Sequence, residues 1–318
     1  MTRTLFITST RIGDAVLSSG LLAHLIQISP ETKITVACGE EAAPIFHAVR
    51  EIEKIITIKK LPWGMHWPKL WSQLVFKRWN TVVDLRSSAI AWLLIANCRL
   101  VLKRRKRDVH RVIEIGSLAK TSEIPDPRLW ISKDCEASAN AVIPKDNFIV
   151  IAPTANWKGK QWPGERFADL AYRVVSERGI IPKAKIVVLG AESERIQAKS
   201  MMDKLSDNHF IDLVGKLELM ASAAVIRKAS LFIGNDSALM HIAAALGVPT
   251  LGLFGPSREE HYAPWGKNCT FQRTTLSYDE LVGAEGYDHL KTDTLMHTLS
   301  VDMAEEAVNK LWLKIKNK

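Results

Sequence analysis

Short runs rich in branched aliphatic residues alternate with stretches of helical period along almost the whole sequence, and this alternation confines the chain to α/β architectures. In the first half, strands are predicted over residues 4–8, 33–37, 54–58 and 81–85, with helices near 15–28, 40–48, 68–78 and 87–98. The pattern weakens over 122–147, where Pro125, Pro127 and Pro144 interrupt a polar stretch. It then restarts, with strands at 148–152, 185–189, 209–213, 231–234 and 250–254 and helices near 163–178, 193–205, 218–229 and 237–246. Strand, helix, strand in succession builds parallel pairs, and apolar strands of this kind are covered by helices on both faces. Two doubly wound domains joined near residue 145 are the economical reading, and no short-period repeat competes with it. The final stretch, Asp302 to Lys316, places Met303, Ala307, Val308, Leu311 and Ile315 on one helical face.

Other classes are excluded by composition. The longest apolar run, Ala89 to Ala96, has eight residues, whereas a membrane span needs roughly 20. The N-terminal run Leu5-Phe6-Ile7 is too short for a signal-peptide core. Cys38, Cys98, Cys135 and Cys269 are far apart and form no C-x-x-C pair, so neither a zinc knuckle nor a disulfide framework is expected. A folded protein of a reducing cytoplasm fits these features. The formal net charge of +9 lies wholly in residues 1–145, which hold 22 Lys and Arg against 13 Asp and Glu. Basic residues peak at Lys103-Arg104-Arg105-Lys106-Arg107, a run that suits either an anionic partner or a solvated loop. No nucleic-acid recognition motif accompanies it, so nucleic acid is not the expected partner.

In doubly wound folds, ligands collect at the carboxyl ends of strands, where loops feed helix N-termini. Three segments sit there. The first strand runs into Ser9-Thr10-Arg11-Ile12-Gly13-Asp14, where Gly13 permits a tight approach and Asp14 reads as a helix N-cap or as a general base. The turn lacks the G-x-G-x-x-G dinucleotide signature. Following the first strand of the second half, Thr154 to Pro163 offers hydroxyl, amide and ammonium groups just before a helix, and reads as a surface loop or a diphosphate site. The third and most specific segment is Gly234-Asn235-Asp236-Ser237-Ala238-Leu239-Met240-His241, followed by small residues, Gly247 and a strand ending in Phe254-Gly255-Pro256-Ser257. The amides of residues 237–239 form a positive helix end suited to pyrophosphate, while Asp236 as a simple N-cap and His241 as a buried helix histidine are the plainer reading.

Together, Gly13-Asp14, Lys160-x-Trp162-Pro163, the Gly234-x-Asp236-Ser237-x3-His241 block and Phe254-Gly255-Pro256-Ser257 resemble glycosyltransferase family 9, the heptosyltransferases of lipopolysaccharide inner-core assembly. The resemblance implies a GT-B fold, two Rossmann-like domains with a cleft between them: an acceptor domain over 1–145, a nucleotide-sugar domain over 146–300, and a last helix, 301–318, packing back on the first domain. It implies Asp14 as general base, Lys160 and Thr154 as donor phosphate contacts, Glu194 as a contact to the nucleoside ribose, and Asp236, Ser237 and His241 as the donor loop. The sequence departs from the family's pattern at Ala238, usually glycine, and at Ser19-Gly20, where proline is common; its Thr154 loop is about one residue longer.

The implied reaction is an inverting displacement in which Asp14 deprotonates an acceptor hydroxyl, and Lys160 with the helix end at Ser237 stabilises the leaving diphosphate. No cofactor and no metal are expected: no cluster has ligand spacing, and Asp236 and His241, five apart, do not share a helix face well. Implied partners are an ADP-heptose donor, an anionic Kdo-lipid A acceptor and the cytoplasmic face of the inner membrane. Lys103, Arg104, Arg105 and Arg107 would face that acceptor or surface. Trp63, Trp67, Trp71 and Trp79, beside Lys59, Lys60, Lys69, Lys77 and Arg78, read as an interfacial surface or as core. Two alternatives keep the fold: transfer of another sugar from a UDP- or GDP-sugar, and a silent nucleotide-sugar-binding protein. The latter is favoured by Ala238 and disfavoured by Asp14 and Lys160, which scaffolding would not need.

Overall fold

The computed structural model describes residues 2–103, 108–206, 210–284, 287–288 and 292–317. The chain divides into two compact units, one ending at Trp130 and the other beginning at Ile131.

The first unit contains β1 (Arg3–Ile7), α1 (Ile12–Ile28), β2 (Lys33–Cys38), β3 (Ile52–Thr57), α2 (His66–Leu74), β4 (Trp79–Asp84), α3 (Ile90–Leu93), β5 (Ala96–Val101) and α4 (Arg111–Gly116). Its five strands are parallel in the order β3-β2-β1-β4-β5. One face is sealed by Leu70, Leu74, Ile90 and Leu94 from α2, α3 and the turn after α3, packed on Leu5, Ile7, Ile56 and Val82. The expected helix at 40–48 is a 3₁₀ helix over 40–46 with Pro44 inside it. The helix expected over 87–98 is the short α3 followed by strand β5. Arg99 explains the break, since its guanidinium donates to the carbonyls of Ala91 (2.8 Å), Leu94 (2.8 Å) and Ala96 (3.1 Å), satisfying the end of α3 and turning the chain into an edge strand. The Ser19-Gly20 departure is also explained by packing. Ser19 Oγ accepts from the amide of Arg128 at 2.9 Å, and a Cβ on Gly20 would lie 2.4 Å from the carbonyl oxygen of Pro125.

The second unit contains α5 (Lys133–Asn140), β6 (Phe148–Ala152), α6 (Gly164–Val175), β7 (Lys185–Val188), α7 (Arg195–Met202), β8 (Phe210–Asp212), α8 (Leu219–Arg227), β9 (Leu231–Asn235), α9 (Ala238–Ala245), β10 (Thr250–Phe254), α10 (Glu259–Tyr262), β11 (Cys269–Arg273), α11 (Tyr278–Val282) and α12 (Val301–Lys316). Six parallel strands run in the order β11-β10-β9-β6-β7-β8. Both sheets thus reverse their strand order at the centre, between β1 and β4 in one and between β6 and β9 in the other.

Two expectations about the domains are corrected. The boundary lies near residue 130 rather than 145, because α5 packs on α8 and Glu136 meets Arg227 at 2.8 Å. The C-terminal helix α12 belongs to the second unit: Ala304, Ala307, Val308 and Leu311 are buried in one cluster with Phe167, Ala171, Val174 and Leu253. Arg173 of α6 also reaches Asp302 at 2.6 Å and Glu305 at 2.7 Å. These surface pairs contribute little; the apolar face is what holds the helix. Leu311→Ala is therefore expected to destabilise the second unit by about 2–5 kcal/mol in urea unfolding. A loss below about 1 kcal/mol, the scale of an exposed site, would contradict this packing.

Candidate active site

The crevice outside the carboxyl ends of the strands opens where the strand order reverses, because the helices that follow the two central strands leave toward opposite faces. In the second unit this point lies between the loop after β6, residues 153–162, and the loop after β9. A fully buried side chain at the end of β9 helps join them. Asn235 donates through Nδ2 to the carbonyl of Pro153 at 2.9 Å, and its Oδ1 accepts from the amide of Trp162 at 3.1 Å. The other flank of the loop is braced by residues 294–299. The amide of Leu295 donates to Gly159 O at 3.0 Å, Trp162 Nε1 donates to Leu299 O at 2.9 Å, and the hydroxyl of Thr294 donates to Gln161 O.

The loop so held delivers Lys160 from a short 3₁₀ turn over 158–160. Its Nζ lies 2.5 Å from Oδ2 of Asp236, and the two side chains are only 22% and 6% exposed. On the other carboxylate oxygen, His241 Nε2 stands at 3.8 Å, itself buried. The expectation that Asp236 and His241 face apart fails because Asp236 precedes the helix. Ser237 is extended (φ −143, ψ 171), and α9 begins only at Ala238, so the first turn brings His241 back over Asp236. The Lys160 ammonium has three donors and this contact uses one of them.

Ser237 is the N-cap of α9, yet its hydroxyl makes no capping bond. Its Oγ and that of Ser257, just beyond β10, are both sealed from solvent and have no hydrogen-bond partner among the described residues. Thr154 and Glu194 come together as a unit. The hydroxyl of Thr154 donates to Glu194 Oε2 at 2.8 Å, and the amide of Ala191 donates to the same oxygen at 2.9 Å. Thr154 therefore orients Glu194. Neither Asn235 nor Ser257 was singled out in the sequence, although both stand inside the motif blocks; what marks them is burial of a polar group.

In the first unit, Asp14 is not the N-cap of α1. That position is Arg11, and Asp14 lies in the first turn, just after Gly13, where the positive end of the helix favours a carboxylate. Ser9 Oγ donates to Asp14 Oδ2 at 3.3 Å. The turn is held from beneath by Gly39, whose amide donates to Ser9 O at 3.2 Å and whose missing Cβ would sit 2.5 Å from the Thr10 backbone. Lys103 is exposed after β5, whereas Arg104, Arg105 and Arg107 lie outside the described residues. The tryptophans divide: Trp79 is core, donating to Leu74 O at 3.3 Å, while Trp63 is 99% exposed. Trp71, read in the sequence as interfacial or core, is exposed and donates to Leu93 O at 3.2 Å; Phe76, Trp92, Leu93 and Ile95, which that reading did not include, are exposed as well. Among the described residues, no group of three His, Cys, Asp or Glu is placed to hold a metal ion, and no helix is long and apolar enough to cross a membrane.

The sequence pattern of glycosyltransferase family 9 (heptosyltransferase) matches residues 81–284. Among known proteins, the chain is 24% identical over 290 residues to lipopolysaccharide heptosyltransferase 3 of Escherichia coli K12, covering 80% of this chain and 83% of that one. It is 25% identical to lipooligosaccharide heptosyltransferase 2 of Haemophilus ducreyi, covering 85% and 88%. Of solved structures, the family 9 glycosyltransferase of Veillonella parvula superposes with a TM-score of 0.78 at 19% identity, covering 98% of this chain and 97% of that one. The E. coli ADP-heptose lipopolysaccharide heptosyltransferase II superposes with a TM-score of 0.73 at 19% identity, covering 99% and 100%. These likenesses establish the two-domain GT-B fold.

Asn235 generates a prediction independent of any substrate. Asn235→Ala strands a buried amide and a buried carbonyl, each worth about 1–3 kcal/mol when left unpaired. Hydrogen exchange should show the amide of Trp162 opening at least tenfold more readily while the amides of β7 stay protected.

Proposed function

This chain belongs to glycosyltransferase family 9, and from that premise we propose that it is an inverting heptosyltransferase that moves heptose from ADP-heptose to a Kdo-lipid A inner-core acceptor. The observation that carries the reading is the braced, largely buried Lys160–Asp236 pair beside the N-terminus of α9, at the strand reversal of the second unit. The names of the relatives support heptosyl transfer in lipopolysaccharide assembly, and one solved neighbour is an E. coli heptosyltransferase with ADP.

Each residue then has a chemical task. Asp14 removes the proton from an acceptor hydroxyl as that oxygen attacks the anomeric carbon from the face opposite the diphosphate. The bond from the anomeric carbon to the diphosphate oxygen breaks, and negative charge collects on the leaving group. Lys160, the hydroxyls of Ser237 and Ser257 and the first amides of α9 are fixed donors for that charge, and fixed donors need no reorganisation as it develops. Asp236 aims the Lys160 ammonium, and His241 backs Asp236. Glu194, held by Thr154 and Ala191, accepts hydroxyls of the ribose. Ala238 keeps the backbone amide of the usual glycine.

The first unit carries the acceptor and the membrane contact. Trp71, Phe76, Trp92, Leu93 and Ile95 are exposed on or just after α2 and α3, and Lys69, Lys77 and Arg78 lie close to the first two in sequence. Exposed aromatic side chains fringed by basic ones are suited to the headgroup level of an anionic bilayer.

Two experiments test this reading. With purified protein, Kdo-lipid A and separate ADP-heptose, UDP-sugar and GDP-sugar donors, mass spectrometry should register a heptose-sized gain with ADP-heptose alone. Asp14→Asn should lower transfer by about 10²–10⁴-fold with donor binding intact, and Lys160→Ala should weaken donor binding and turnover together. Gain with another donor would move the pathway, and donor binding without transfer to any acceptor would favour a silent binding protein. In flotation assays, the protein should rise with phosphatidylglycerol-containing vesicles, and Phe76→Ser with Trp92→Ser should leave it at the bottom of the gradient. Flotation unchanged by the pair would remove this surface from the membrane contact.

A further inference from the structure

The first unit has its own strand reversal, between β1 and β4, and the loop after β4 takes no part in the chemistry assigned above. Register pairs Ile7 with Asp84, so two residues further on Ser9 and Arg86 leave adjacent strand ends side by side, and Ser9 is the residue that donates to Asp14. The turn carrying Arg86 is fixed from within. The wholly buried carboxylate of Asp84 accepts from the amide of Arg86 at 2.8 Å, the amide of Ser88 at 2.8 Å and the hydroxyl of Ser88 at 2.6 Å. Ser87 is held in the left-handed region (φ 53) with its hydroxyl on Leu102 O. Non-glycine residues persist there only where their surroundings over-determine them, which is common at ligand sites.

The Arg86 side chain is directed by stacking, its guanidinium carbon 4.8 Å from the ring centroid of Trp67. Its Nη1 is sealed from solvent and finds no acceptor among the described residues. Burial draws the Arg86 pKa below its ordinary value, with Asp84 opposing that shift. Arginine does not shed its proton in proteins, so a covered, unpaired nitrogen on it is costly. The contrast with Arg99, all three of whose guanidinium nitrogens donate to carbonyls, shows what a purely structural arginine looks like in this same unit.

We infer that Arg86, stacked on Trp67, binds an anionic oxygen group of the acceptor next to the hydroxyl that Asp14 deprotonates. The inference rests on the proposed glycosyl transfer for the identity of the acceptor. A planar fork on an aromatic face is suited to a carboxylate or a phosphate, and an acceptor built of acidic sugars on a phosphorylated lipid offers both.

Arg86→Gln and Arg86→Lys are compared with the wild type on three acceptors: the native one, one with its sugar carboxylates reduced to alcohols, and one stripped of phosphates. On the native acceptor, Arg86→Gln should raise the acceptor KM at least tenfold and leave kcat and the donor KM within about twofold; Arg86→Lys should recover part of the loss. On one of the two modified acceptors, wild type and Arg86→Gln should converge, and that acceptor identifies the bound group. Equal KM values on the native acceptor, or an undiminished gap on both modified ones, would overturn the inference. Calorimetric titration of the native acceptor without donor reads the contact apart from chemistry. At least tenfold weaker binding by Arg86→Gln is expected there even if the donor assignment fails. A wild type that binds none of the three acceptors would remove the inference together with the reading beneath it.

Discussion

One buried amide, that of Asn235, fixes the geometry of the loop that carries Lys160. The loop over 153–162 has no regular structure apart from a single 3₁₀ turn, and a free loop of that kind would scatter the Lys160 ammonium over many positions. Ordering backbone costs on the order of 1–2 kcal/mol per residue, and the loop meets that cost through Asn235 on one side and residues 294–299 on the other. Only then does the Lys160–Asp236 contact become a fixed distance. Such a pair is a poor stability device, because desolvating two charges consumes most of their attraction. It leaves an ammonium aimed, with two donors remaining, which is what the proposed anionic ligand would use.

The same physical device appears twice in the chain. Adjacent parallel strands whose following helices depart to opposite faces leave room for a ligand between two loops. In the second unit those loops carry Lys160 and Asp236, and in the first they carry Asp14 and Arg86. Each pair combines one residue held by backbone geometry with one held by a side-chain partner: Asp14 by Ser9 and Arg86 by the Asp84 turn and Trp67, Lys160 by Asp236 and Asp236 by the extended Ser237. On the proposed reading, one folding rule would serve both the donor and the acceptor.

What the sequence disclosed follows the range of the interactions involved. Central strands such as Phe148–Ala152 and Leu231–Asn235 were legible because burial on both faces writes an unbroken apolar run. Strand β5 was hidden inside a longer apolar stretch, and the break depends on Arg99 reaching back as far as Ala91. The amphipathic face of α12 was evident, but a face does not name its partner, and the partner proved to be α6 and the second sheet. Counting helical spacing from Asp236 to His241 failed because the count began before the helix did. Asn235 and Arg86 carried no signal of their own: the bond from Trp162 to Asn235 spans 73 positions, and Arg86 is recognised only by what surrounds it in space.

Charge divides between the units in the same way as chemistry. Residues 131–145 hold two lysines, one aspartate and one glutamate, so placing the boundary near 130 leaves the whole excess of +9 in the first unit. That unit also exposes Trp71, Phe76, Trp92, Leu93 and Ile95. Fields from surface charges fade within about 8 Å at physiological salt, so an excess of this kind acts on a partner brought against the surface, as an anionic bilayer or a lipid-borne acceptor would be. The second unit is neutral overall and needs no such field. On the proposed reading, a nucleotide diphosphate would meet the paired Lys160 and the covered hydroxyls of Ser237 and Ser257, where low local dielectric strengthens each fixed donor. A diffuse cationic unit and a second unit with a few aimed donors suit, respectively, the large membrane-borne acceptor and the small diffusible donor that we propose.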